Sequence, residues 1–294
     1  MTTEVQSKTG KAVLRSRYVM ANGVRTHYTE VGDNGPVIIA IHGGGAGSGG
    51  NAGMGGLLPE LASNFRVIAI DSIGGFGDTD PSAPVPYGVQ SRVDHLEDFV
   101  DALCLDKFII MGNSQGAWVA AKYAILHPDR VTKMVLIATA TIGAAMGIPE
   151  EPTPALKVLL GYDYTREGMK KMLEALAVNH DKVTDELIEA RYAASMRPGA
   201  KEGMAAHAAG HRYLQSEVMR PNFDMTTTLP AITKHIPTIF IWGNDDQMAP
   251  VALGHKLQPM LPDVKWHFID DAGHQVQTDQ PEKLGQIITE FAKS

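Results

Sequence analysis

Five residues, Gly112-Asn113-Ser114-Gln115-Gly116, interrupt an apolar run and open a helix-like one in "IIMGNSQGAWVA" (109–120). A serine with glycine two residues away on each side, where a buried strand turns into a helix, fits a nucleophile elbow. Side chains at Gly112 and Gly116 would collide as the strand doubles back, and Ser114 must take an unfavourable backbone conformation. Its hydroxyl then lies at a helix N-terminus, whose dipole favours a developing anion. An ordinary strand-to-helix turn also uses small residues, so the pattern needs partners before it counts as chemistry.

A serine hydroxyl needs a base, and the base needs an orienting acid. On an elbow scaffold the acid and the histidine follow the serine in that order, each just past a late strand. Asp245 and Asp246 follow the apolar run "TIFIWG", and His274 follows "WHFI". Asp246 is preferred to Asp245, because the loop needs a few residues to turn back toward Ser114. No acid follows the earlier run in "IATATIGA". An oxyanion needs two backbone donors, and the N–H groups of Gln115 and Gly44 are expected to supply them. Gly44 stands in "HGGGAGSGG", a glycine run that frees the backbone after another apolar strand; His42 beside it reads as a packing and turn residue.

These residues need elements to hold them. Six short apolar runs recur along the chain: "PVIIAIHG" (36–43), "FRVIAIDS" (65–72), "KFIIMGNS" (107–114), "KMVLIATA" (133–140), "TIFIWGND" (238–245) and "VKWHFIDD" (264–271). Continuous apolarity without alternation marks strands buried on both faces, as in a parallel sheet covered by helices. Ahead of them, Asn22-Gly23 in "RYVMANGVRTHYTEVG" favours the turn of an antiparallel hairpin. With helical spacing in the intervening segments, the expectation is an α/β protein with a mostly parallel, eight-stranded sheet. The rhythm fails once, across about 95 residues between "VLIATA" and "TIFIWG". "TREGMKKMLEALAV", "TDELIEARYAASM" and "AKEGMAAHAAGHRYLQSEV" read as helices there, so a helical cap over 141–229 is expected between core segments 1–140 and 230–294. No internal repeat or low-complexity tract is present.

Composition narrows the function classes. The chain has 294 residues, is 44% hydrophobic and 20% charged, and carries a formal net charge of −7 without any block of lysine or arginine. Nucleic acid and acidic membrane surfaces are poor partners for such a surface. The N-terminus lacks a signal-peptide core and no stretch reaches the length of a membrane span, so the expected compartment is the cytoplasm. Residues 1–14 read as a loose tail, and the single Cys104 as a buried small hydrophobe. His207 and His211 are spaced i, i+4 on an expected helix, but with no obvious third ligand they do not make a metal site.

With these residues in view, the chain resembles the α/β-hydrolase superfamily over almost its whole length. Within it the likeness is to the meta-cleavage-product hydrolases of aromatic degradation, especially the carbazole-type branch. "HGGGAG", "GNSQGA", "GYDYTREGMKKML", "TDELIEARYAAS", "IWGNDDQMAP" and "AGHQVQTDQPE" carry it. The resemblance implies a cofactor-free enzyme that cuts a carbon–carbon bond in 2-hydroxy-6-oxohexa-2,4-dienoates, by ketonisation of the dienol and attack at the C6 carbonyl. It also implies a homodimer. Arg191 sits on the apolar stripe of its helix with no carboxylate at i±3 or i±4, so it must snorkel, pair with a distant acid or bind an anion. The resemblance makes it the ligand of a substrate carboxylate, with Asn113, Gly43 and Gln275 completing the expected substrate-binding set. Three departures stand out: Gln275 where the family has tryptophan, "NAGMGG" (51–56) where it has a W-x-N segment, and an extra glycine in "DSIGGFGDTD".

The competing reading is a carboxylesterase or lactonase using the same Ser-His-Asp triad. A dehalogenase or epoxide hydrolase would carry aspartate at the elbow. A ligand receptor on this fold would keep the triad without turnover, and no residue here points to one.

Overall fold

The computed structural model describes residues 2–7 and 10–294 of the chain. Nine strands form one sheet in the order β1-β2-β3-β5-β4-β6-β7-β8-β9. The strands are β1 (Thr2–Ser7), β2 (Gly10–Ala21), β3 (Val24–Val31), β4 (Val37–Ile41), β5 (Arg66–Ile70), β6 (Phe108–Asn113), β7 (Val131–Ile137), β8 (Thr238–Gly243) and β9 (Lys265–Ile269). All pairings from β5 through β9 are parallel, while β1, β2 and β3 add on antiparallel. Every residue of β6 and β8 is buried, as expected for strands covered on both faces.

The hairpin predicted at Asn22-Gly23 joins β2 to β3: Ala21 pairs with Val24, and both turn residues have positive φ, 46° and 84°. Two expectations need correction. The sheet has nine strands, not eight, because the extra strand β1 lies within the segment read as a loose tail and pairs with β2 from Thr2↔Arg15 to Ser7↔Gly10. Residues 1, 8 and 9 of that segment lie outside the described residues. Cys104 is exposed, with φ 52°, just past the helix Val89–Ala102 that its apolar neighbours suggested would continue.

Between β7 and β8 the described chain is helical throughout its regular structure. Thr153, Thr165 and Thr184 open three of these helices as N-caps, their side chains accepting from the N–H groups of Leu156, Gly168 and Leu187. Met169, Met172, Leu173, Ala177, Val183 and Ile188 give the insertion a small apolar cluster separate from the main core. The parallel strands all end on one edge of the sheet, where open α/β sheets bind their ligands. The insertion faces that edge across a cavity lined by both.

Candidate active site

β6 runs straight into the elbow. Ser114 caps the helix Gln115–Leu126 with φ 57° and ψ −125°, the left-handed strain expected of it. That strain is held from β7, since the Ser114 N–H donates to the carbonyl oxygens of Ile137 (2.9 Å) and Ala138 (3.1 Å). A Cβ on Gly116 would lie 2.6 Å from the His42 carbonyl oxygen, and one on Gly112 would lie 2.6 Å from the Ala117 nitrogen. Only glycine fits either position, so the spacing in "GNSQG" is a steric requirement of the turn.

Beyond β8, Asp246 is buried and Asp245 exposed. Oδ1 of Asp246 accepts from the backbone N–H groups of Met248 (2.8 Å) and Ala249 (2.7 Å). Its Oδ2 lies 2.8 Å from Nδ1 of His274, in the loop after β9. A carboxylate acceptor there sets the Nδ1–H tautomer and leaves Nε2 with a lone pair, the form a general base requires. Ser114 and His274 are not hydrogen-bonded to each other, but they line the same cavity.

That cavity, about 450 Å³, is lined by every predicted site residue except Asp246: Gly43, Gly44, Asn113, Ser114, Gln115, Arg191, His274 and Gln275. The backbone N–H groups of Gly44 and Gln115 have no acceptor among the described residues. His42 stabilises this loop as a neutral ring: Nδ1 donates to the Gly43 carbonyl (2.7 Å) and Nε2 accepts from the Ser72 N–H (3.0 Å). Burial, then the nearby Arg92 guanidinium, holds its pKa well below the usual histidine range. Arg92 also anchors the loop, donating to the His42 carbonyl at 2.6 Å.

Arg191 is 1% exposed, within the helix Asp185–Ser195, and has no carboxylate partner among the described residues. Its Nη1 makes only long contacts, 3.4 Å to Ser48 Oγ and 3.5 Å to the Ala52 carbonyl, and Nε has none. Burial pulls its pKa down to about 10, so it stays cationic at neutral pH. A buried cation that lines a cavity without a counter-ion has the chemistry to pair with an anionic group brought there.

Asn113 lines the cavity, yet its carboxamide also has partners within the protein: Oδ1 accepts from Gln277 Nε2 (3.2 Å) and Nδ2 donates to the His274 carbonyl. Gln275 is buried, its Oε1 accepting from the Thr278 hydroxyl (3.2 Å) and its N–H donating to the Leu176 carbonyl of the insertion (3.1 Å). Sequence reasoning missed Gln277 and Asp279. Asp279 accepts from the N–H groups of Gly273 (2.8 Å) and Asn179 (2.9 Å), binding the insertion to the histidine loop. Both lie within "AGHQVQTDQPE", but nothing local distinguishes a buried polar anchor there from a helix surface. His207, marked in the sequence only by its spacing to His211, has Nε2 3.0 Å from Gln115 Oε1, and the two imidazoles are parallel with centroids 6.4 Å apart.

An elbow serine, a carboxylate-held histidine and two free N–H donors around one cavity are the parts of a serine hydrolase on an α/β sheet. Residues 36–281 match the alpha/beta hydrolase fold family. The 2-hydroxy-6-oxo-2,4-heptadienoate hydrolase of Pseudomonas putida is 32% identical over 275 residues, covering 94% of this chain and 95% of that one. The 2-hydroxy-6-oxo-6-(2'-aminophenyl)hexa-2,4-dienoic acid hydrolase of Metapseudomonas resinovorans is 32% identical over 286 residues, covering 97% and 93%. Among solved structures, a meta-cleavage product hydrolase from Pseudomonas fluorescens IP01, complexed with acetates, superposes with a TM-score of 0.77 at 31% identity, covering 94% of this chain and 97% of that one. The chain belongs to the α/β-hydrolase fold family, in its branch of meta-cleavage product hydrolases.

Proposed function

We propose that this protein hydrolyses a carbon–carbon bond in a 2-hydroxy-6-oxohexa-2,4-dienoate-type ring-fission product, with Ser114, His274 and Asp246 as its triad. The relatives' reaction supports this reading, and the single observation that carries it is Arg191. A simple esterase has no use for a buried, unpaired guanidinium lining the cavity of its nucleophile, whereas a dienoate brings a carboxylate to pair with it.

In this reading Arg191 binds the C1 carboxylate and places C6 over Ser114. Ketonisation of the 2-hydroxydiene leaves a carbonyl at C2 conjugated to C3=C4, with C5 saturated. His274 Nε2 then takes the Ser114 proton as Oγ bonds to C6, and the resulting oxyanion accepts from the N–H groups of Gly44 and Gln115. Collapse breaks the C5–C6 bond; its electron pair passes through C4 and C3 to the C2 oxygen, giving 2-hydroxypenta-2,4-dienoate after protonation. Water, deprotonated by His274, hydrolyses the acyl group left on Ser114 and releases a carboxylic acid. Asn113 and Gln277 hold the histidine loop against the elbow throughout. The homodimer and the cytoplasmic location expected from the sequence form part of this proposal, to be checked by sizing chromatography and cell fractionation.

The deciding experiment compares decay of a coloured dienoate with hydrolysis of p-nitrophenyl acetate, using wild type, Ser114→Ala and Arg191→Ala. The expected result is rapid loss of the dienoate by wild type, none by Ser114→Ala, and a raised KM for the dienoate alone in Arg191→Ala. Fast ester turnover with the dienoate untouched would instead establish the carboxylesterase or lactonase reading.

A further inference from the structure

The helix Ala200–Leu214 is seated on the core through glycines on both sides of the contact. A Cβ on Gly203 would lie 2.7 Å from the Gly75 nitrogen, and one on Gly210 would lie 2.5 Å from the Gly88 nitrogen. Gly75 and Gly88 both have positive φ, 80° and 55°. Positions 203, 207 and 210 share one helical face, so this close approach drives His207, 2% exposed, down onto the core between the two glycine contacts. Gly74, in the "SIGGFG" segment that departs from the family pattern, backs the ring: a Cβ there would lie 3.4 Å from Nδ1.

At the bottom of this descent His207 Nε2 meets Gln115 Oε1 at 3.0 Å. The tautomer follows from the surroundings. His207 Nδ1 is buried without a partner, and a bare lone pair there costs less than an orphaned N–H, so the proton resides on Nε2 and is donated to Gln115. Phe76 packs edge-to-face on His207 (centroids 5.2 Å apart) and on His42 (4.9 Å), so the ring cannot swing away. The Gln115 carboxamide is thereby laid over Gly44: a Cβ built on Gly44 would meet Gln115 Oε1 and Cδ first, with Nε2 farther out at 3.0 Å. That Nε2 has no partner among the described residues, and Gln115 lines the cavity.

We propose that His207 is a positioning residue that holds the Gln115 carboxamide over Gly44, so that the helical insertion itself completes the anion-stabilising end of the site. With Oε1 held by His207, the Gln115 NH₂ group is turned toward the cavity as a further donor beside the two backbone N–H groups. The packing of the insertion on the core and the arrangement of the oxyanion donors thus depend on the same contact. The inference rests on the serine-hydrolase reading above.

The test uses His207→Phe, which keeps an aromatic ring but removes the donor, His207→Gln, which restores one, and Gln115→Met, with p-nitrophenyl acetate and the dienoate as substrates. Ser114→Ala is the control: if it retains turnover, the serine reading falls and this inference with it. With Ser114 confirmed, His207→Phe should lower kcat roughly tenfold or more, the effect of weakening one donor in a water-excluded site, while KM stays within about twofold. His207→Gln should recover most of kcat, and His207→Phe should have no further effect in a Gln115→Met background. Thermal unfolding separates a structural loss, because packing damage would lower the midpoint and persist in that background. An unchanged kcat in His207→Phe, or additive losses in the double variant, overturns the proposal. If His207→Phe fails to fold, Gln115→Met decides alone: a lowered kcat supports the role, and an unchanged one refutes it.

Discussion

Asn113 Nδ2 donates to the backbone carbonyl of His274 at 3.1 Å, joining the residue before the elbow serine to the loop of the histidine across 161 positions of sequence. The contact fixes where the imidazole stands relative to β6, a distance that neither loop controls alone.

Replacing Asn113 with alanine should therefore disturb the base more than the binding of substrate. Gln277 Nε2 keeps its bond to the Gly53 carbonyl, but the buried His274 carbonyl is left unpaired, at a cost of about 1–3 kcal/mol. Asn113→Ala is expected to lower kcat by roughly tenfold and to reduce stability in urea by that amount. Steady-state kinetics discriminates the alternatives, since a rise in KM with kcat intact would place this amide on the substrate instead.

The two adjacent aspartates make opposite predictions. Asp246 is buried on His274, whereas Asp245 is exposed. Asp246→Asn should lower kcat by about 10²- to 10⁴-fold through the wrong histidine tautomer, with Asp245→Asn close to wild type. Equal losses in both would overturn the assignment.

Arg191 places function against stability. A buried guanidinium without a counter-ion destabilises the free protein, so Arg191→Met should raise stability by about 1–2 kcal/mol, seen as a higher thermal midpoint. The same variant should lose the stabilisation that a carboxylate substrate analogue gives the wild type. Thermal melts with and without the analogue test both halves; a destabilised variant would mean that Arg191 has a structural partner after all.

Acid should unfold the protein earlier than its carboxylates would dictate. Burial lowers the pKa of His42, His95, His207 and His211, the second and last to about 4. With folded values below the unfolded value, the unfolded chain binds more protons between pH about 6.5 and 4. Stability is therefore intact above that window and falls as pH drops through it, by up to about 1.4 kcal/mol per pH unit for each group. Glu150, whose carboxyl pKa is raised by burial, acts in the opposite sense but is one group against five, because burial also lowers the pKa of His267. Urea unfolding at pH 7.5, 6.5, 5.5 and 4.5 reads the slope, and a flat profile would refute neutral burial of these rings.

Much of the scaffold was legible because its signals are local. Continuous apolar runs mark strands covered on both faces, as in β6 before Ser114 and β8 before Asp246, whereas β9 before His274 is an edge strand only partly buried. The glycines at 112 and 116 were readable because a tight turn makes its steric demand within five residues. Weaker local signals misled. The apolar neighbours of Cys104 suggested a helix interior, though the helix ends at Ala102. β1 carries little apolar patterning, and its pairing depends on the facing edge of β2.

By itself, then, the sequence determined the parallel strands, the elbow at Ser114, an acid and a histidine beyond their own strands, and a cation at Arg191 on an apolar helix stripe with no carboxylate at i±3 or i±4. Each follows from covalent neighbours or from helical and strand periodicity. Only the tertiary structure decided that Asp246 rather than Asp245 faces His274, that Asn113 has partners inside the protein, and that His207 reaches Gln115 from 92 positions away. Those are meetings of side chains from separate elements, and their distances are set by how closely helices and loops can pack, which glycines such as Gly75 and Gly203 control.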